Sequence, residues 1–134
     1  MKKFILLSFL GLAFASKAQS IQATPGSAQA QIKPNGNIEV NGVVKATIQN
    51  NGDIRNAQNQ VIGYIKQDGT IENASHTAVG YFMSNYDVQD ANHNVIGHLR
   101  TNLDVKDANN VKIGTYNERI PTAWTAVAYF FFKS

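Results

Sequence analysis

The chain of 134 residues contains no cysteine. That absence removes disulfide bonds, a thiol nucleophile and thiolate metal ligands at once. It also excludes a lipoprotein, which carries its lipid on a cysteine. Three prolines and one tryptophan serve the whole length. No apolar run approaches the roughly 20 residues that a membrane-spanning helix needs. The stretch from Phe4 to Ala15 is the main candidate and has only 12 residues. Lys2-Lys3 stands before it, and Ser16-Lys17-Ala18 follows with small residues at the −3 and −1 positions of a cleavage site. Residues 1–18 therefore read as a secretory signal peptide, with Gln19 first after cleavage; an N-terminal anchor is the alternative.

Charge of one sign is also missing. The formal net charge is +3, from 12 basic and 9 acidic residues. Lys2, Lys3 and Lys17 lie in the signal, so 12 − 3 leaves nine basic residues against nine acidic ones. A nucleic-acid binder concentrates basic residues on one face. Here the remaining Lys and Arg are scattered singly, and no nucleic-acid partner is expected. Residues 19–31, "QSIQATPGSAQAQ", are rich in Gln, Ala, Ser, Gly and Pro, and read as a flexible leader before a domain at 32–134.

What is present is a repeat. Aligned on the apolar residue two after a recurring glycine, units begin at Ile32, Ile48, Ile65, Phe82 and Leu99, and Tyr116 ends the fifth. The first has 16 residues and the other four have 17 each. A constant short period marks one supersecondary unit used repeatedly. The apolar start position recurs six residues later, at Ile38, Ile54, Ile71, Val88 and Val105. Asn35-Gly36, Asn51-Gly52 and Asp68-Gly69 between them are strong hairpin signals. A three-residue loop such as Gln67-Asp68-Gly69 puts Ile65 and Ile71 on one face, with Gly69 in the left-handed conformation. Units four and five carry Tyr86 and Leu103 there instead. Neither tolerates positive φ well, so a shifted turn with Asn85 or Asn102 in that conformation is expected.

A second turn opens with Asn56, Asn73, Asp90 or Asp107, whose side chains can bond the backbone two residues on. Unit one shortens this turn to Asn41-Gly42. Gly63, Gly80, Gly97 and Gly114 follow inside strands, with Ala46 in unit one. They point to a bulge or a close backbone approach. A bulge would turn Ile62, Val79, Ile96 and Ile113 inward together with the apolar residue beyond the glycine. The end of the chain, "IPTAWTAVAYFFFKS", is different. Its apolar run from Ala123 to Phe132 fits a buried strand. A short buried helix and a membrane- or partner-docking segment are the alternatives.

"NGDIRNAQNQVIGYI", "DGTIENASHTAVGYF" and the terminal "AWTAVAYFFF" together resemble the five-fold β-flower protein family, small exported proteins of Bacteroidetes-type bacteria. The resemblance covers about residues 32–132. It implies an all-β fold of five hairpins around a pseudo-five-fold axis, here closed by an apolar C-terminal strand. It transfers no activity, cofactor or site residue.

Candidate chemistry is sparse. His76 and His93 hold equivalent positions, and His98 follows; as turn residues the first two should face solvent, and no metal site is expected. Asp90 to Asn94, "DANHN", offers oxygens at alternate positions but lacks the glycine and distal glutamate of a calcium loop. No nucleophile elbow or phosphate loop occurs, and Ser20, Ser27, Ser75, Ser84 and Ser134 have no motif suggesting a nearby base. Tyr64 and Tyr81 recur beside glycine. Aromatics at repeat spacing suit core packing or stacking on a sugar or peptide. The reading is an exported, non-enzymatic envelope scaffold or binding module, periplasmic, surface-bound or extracellular, with a protein or glycan partner. A secreted hydrolase or glycan-binding protein is the alternative.

Overall fold

A computed structural model describes residues 21–26 and 30–132. The expected signal at 1–18 lies outside them. The strands are β1 (Ala30–Ile32), β2 (Asn37–Val40), β3 (Val43–Ile48), β4 (Asp53–Asn56), β5 (Val61–Ile65), β6 (Thr70–Asn73), β7 (Ala78–Phe82), β8 (Asp87–Asp90), β9 (Val95–Leu99), β10 (Asp104–Asp107) and β11 (Lys112–Thr115). They form one antiparallel meander in chain order. A single helix, α1 (Thr122–Phe130), follows.

The repeat sets the register. Ile32 pairs with Ile38, Ile48 with Ile54, Ile65 with Ile71, Phe82 with Val88 and Leu99 with Val105. These are the pairings that a three-residue loop demands. Alternation then sends Ile54 and Ile71 fully inward and leaves Arg55 and Glu72 on the other face. On the far side of each even strand the register slips by one residue. Ile54 faces Gly63 while Arg55 faces Val61, which leaves Ile62 as the extra residue of a bulge. Val79, Ile96 and Ile113 take the same place in later units. All four pack on the core, as the parity of the sequence required.

The first turns depart from expectation at units four and five. Gly36, Gly52 and Gly69 have φ of 93°, 96° and 93°. Tyr86 and Leu103 adopt the same region themselves, at 72° and 74°. The turn does not shift, because its backbone joins one unit to the next. The amides of Ile48, Ile65, Phe82, Leu99 and Tyr116 donate to the carbonyls of Gly36, Gly52, Gly69, Tyr86 and Leu103. Moving the turn would break that bond. Asn85 and Asn102 instead use their side-chain oxygens to accept the amides of Asp87 and Asp104, at 3.0 and 3.1 Å. Tyr86 regains contact by stacking on Phe82, ring centroids 5.7 Å apart.

The apolar tail is helical, not a strand. An apolar run buried on every side has no period that separates the two. Ala123, Ala126 and Ala128 favour the helix intrinsically, and Pro121 stands at its entry. From Thr125 to Phe132 every residue is buried. The expected closing role of this segment fails with its strand character. The sheet stays open, with β1 and β11 at its edges. Strands alternate direction along a meander, so these two edges run the same way and antiparallel closure between them is not available. Gln31, Ile32, Gly114, Thr115 and Tyr116 line a common cleft of about 450 Å³, and Tyr129 lies against it. The Tyr129 hydroxyl donates to the edge carbonyl of Thr115 at 3.2 Å, and burial pushes its pKa up.

The described part of the leader is structured as well. Ile21 is buried. The Gln22 and Thr24 amides donate to the carbonyls of Phe131 and Phe130, at 3.3 and 2.8 Å. Those carbonyls end α1 and have no intrahelical partner, so this extended segment completes the helix. Ala30 and Gln31 already belong to β1.

Candidate functional site

The outward face of the sheet carries the residues that the core does not use. Tyr64 lies opposite Asp53 on β4 and Glu72 on β6. One unit on, Tyr81 lies opposite Thr70 and Gln89. His98 follows, between Asp87 and Lys106. Each second turn then reaches back over this face. Its opening side chain holds it in shape: the Asn73 side-chain oxygen accepts the amides of Ser75 and Thr77 at 2.9 and 3.1 Å. Asn56, Asp90 and Asp107 make the same pair of bonds. The bend forces the fourth residue to positive φ: Asn59 at 66°, His76 at 64°, His93 at 65° and Asn110 at 66°.

That conformation lays the histidines on the tyrosines. His76 stacks on Tyr64 with centroids 4.3 Å apart and planes 10° from parallel. His93 stacks on Tyr81 at 4.4 Å and 10°. His76 Nδ1 lies 2.9 Å from Glu72 Oε1, and a carboxylate only accepts, so Nδ1 carries the proton of that bond. His93 Nδ1 is 3.0 Å from Gln89 Oε1. The side chain of His76 remains 59% exposed. Tyrosine and histidine are thus one feature, twelve residues apart in each case (64 to 76, 81 to 93). The sequence displayed both recurrences; what it hid was the left-handed turn that joins them.

The three histidines do not converge. His98 Nδ1 sits 2.7 Å from Asp87 Oδ1, away from both stacks in the register. Among the described residues no group of three or more His, Asp or Glu is placed to hold a metal ion. The "DANHN" oxygens are spent on the turn. Asp90 Oδ1 accepts the amides of Asn92 and Asn94 at 2.9 Å each. The Asn94 amide bond leads in holding the Asp90 carboxyl below its usual range. Ser75 and Ser84 lie in exposed turns, and no hydrogen bond joins either hydroxyl to a histidine among the described residues.

A cleft of about 560 Å³ opens on this face, lined by Asn51, Asp53, Tyr64, Lys66, Asp68 and His76 among others. Two successive hairpin tips and one stacked pair form it. Asn51 and Asp68 each accept a backbone amide two residues on, at 3.0 Å, through Oδ1. The Thr70 amide and hydroxyl hold the Asp68 carboxyl below its usual range. Asp53 pairs with Arg55 at 3.3 Å.

A family model described as 5-fold beta-flower protein matches residues 18–133. The chain belongs to the 5-fold beta-flower protein family. No curated protein and no solved structure matches it. The β-flower name describes a shape and not a chemistry, so activity has to be argued from the residues of the outward face. No helix among the described residues is long and apolar enough to cross a membrane.

Proposed function

We propose that this β-flower protein is exported and serves, without catalysing a reaction, as a binding module or scaffold of the bacterial envelope. Residues 1–18 act as its signal, and Gln19 begins the mature chain. Its five hairpins stand around a pseudo-five-fold axis. Five units of 16–17 residues support that arrangement. So do the five equivalent bulged pairings, from β2 with β3 to β10 with β11.

The observation that carries a binding role is the Tyr64–His76 stack beside an open cleft. Rings held in place before a ligand arrives lose little freedom on binding. The carboxylates of Asp53, Asp68 and Glu72 are paired with Arg55, a turn amide and His76, an arrangement that suits recognition better than proton transfer. The test is fractionation of the native host, N-terminal sequencing, and co-sedimentation of the protein with isolated envelope material. A chain starting near Gln19 and bound through the outward face is the expected result. Intact Met1 in a cytoplasmic fraction, or no retention by envelope material, would overturn the reading.

A further inference from the structure

We infer that the cleft beside Tyr64 and His76 binds a neutral oligosaccharide; this rests on the binding role proposed above and names its ligand class. A sugar ring presents an apolar C–H face and a rim of hydroxyls, each both donor and acceptor. The cleft offers the complement. The stacked rings of Tyr64 and His76 supply a flat apolar wall at fixed spacing. Around it stand Asn51 and Lys66 as donors and Asp53 and Asp68 as acceptors. Asn51 and Asp68 use Oδ1 for their own turns, which orients the Asn51 amide nitrogen and the second Asp68 oxygen. The space falls within the roughly 300–1,000 Å³ of ordinary ligand sites.

The charge balance separates this ligand from others. Asp68 and Lys66 come from one tip with opposite signs, and Asp53 is matched by Arg55. An anionic ligand would meet two carboxylates, and a cationic one would meet Lys66 and Arg55. An uncharged polyol meets only hydrogen-bonding partners.

The repeat supplies its own control. One unit later the Tyr81–His93 stack recurs, but Met83-Ser84-Asn85 replaces Lys66-Gln67-Asp68, and Thr70 replaces Asp53. One unit earlier Thr47 and Asn59 stand where Tyr64 and His76 do. Only the unit at Tyr64 joins the aromatic wall to the charged rim among the described residues.

The experiment titrates the purified protein with hexamers of β-1,4-linked glucose and of β-1,4-linked N-acetylglucosamine, read by calorimetry and by shifts of tyrosine and histidine NMR signals. One hexamer should bind, with shifts at Tyr64 and His76. Tyr64→Ala should weaken it about tenfold or more, near 1.4 kcal/mol, and Tyr81→Ala by less than about twofold. Lys66→Met with Asp68→Asn copies the unit-four tip at these two positions, keeps the Oδ1 bond of the turn and leaves the stack alone; it should also lose binding while melting like the parent. Binding of neither hexamer at about 10 mM, where millimolar ligands saturate, overturns the inference, as does equal loss in Tyr64→Ala and Tyr81→Ala. If envelope material still retains the protein through this face and neither hexamer competes, the binding role stands and the sugar falls. If a hexamer binds but envelope material does not retain the protein, the sugar stands and the envelope role falls.

Discussion

The ring of Phe130 lies so close over the Cα of Gly97 that a Cβ on that glycine would overlap it, and would also meet the Lys106 carbonyl oxygen at 3.0 Å. The same relation joins Gly80 to Phe131, Gly114 to Tyr129 and Gly63 to Ile21. The glycine of every 17-residue unit is therefore a window in the sheet. The C-terminal aromatics and the N-terminal segment fill those windows. Gly97→Ala should destabilise by about 1–3 kcal/mol, the cost of overpacking a filled core. Chemical denaturation measures it. An unchanged midpoint would mean that the ring moves aside freely and that packing does not require a glycine there.

Gly69 makes a different demand. At φ of 93°, a Cβ would run into the Phe82 carbonyl, whose residue donates its amide to Gly69 across the unit junction. Gly69→Ala should cost about 1 kcal/mol or more through forced positive φ. Tyr86 and Leu103 show that a side chain is tolerated when φ falls to 72–74°. A neutral Gly69→Ala would show that the third tip relaxes the same way at no cost.

Much of this was legible because the repeat is regular. Pairing of Ile65 with Ile71, the bulge before each glycine and the Asx bonds of the second turn follow from residue type and spacing. The tail was not legible, since an unbroken apolar run suits a buried strand and a buried helix alike. Nor was the docking of Ile21, a lone apolar residue in a Gln- and Ala-rich stretch, against Gly63, or the bonding of Gln22 and Thr24 to Phe131 and Phe130 more than a hundred residues on. Tyr64 and Tyr81 were visible as candidates for stacking. Their histidine partners were visible too, but as solvent-facing turn residues, because nothing local announces a left-handed histidine.

Asp90 tests the second turn by pH. Its carboxyl is held below the ordinary carboxylate range, first by the Asn94 amide. A depressed folded pKa stabilises the fold above the unfolded value of 3.8, and that contribution disappears as pH falls through the lower folded value. Asn56 and Asn73 make the same two amide bonds without a charge. Asp90→Asn should therefore leave the melting temperature near pH 7 almost unchanged and remove this group's share of the acid loss. A large drop at neutral pH would show that the charge, and not the Asx geometry, holds the turn.

The helix decides whether the domain folds at all. Five short hairpins supply mainly Ile and Val to the inner face, and small cores of that kind are marginal. Phe130 and Phe131 are fully buried and sit in the windows of Gly97 and Gly80. Removing one such ring costs about 3–5 kcal/mol by cavity formation, against a total near 5–15 kcal/mol for a domain. Deleting residues 122–132 removes both rings, Tyr129 and the carbonyls that anchor Gln22 and Thr24. It leaves the glycine windows open to water and frees the N-terminal segment. The truncated chain should show no cooperative transition by circular dichroism, and Phe131→Ala should show a lowered but still sharp one. A truncated chain that stays soluble and melts near the parent temperature would place the helix on the surface as a detachable docking segment, with the hairpins able to fold without it.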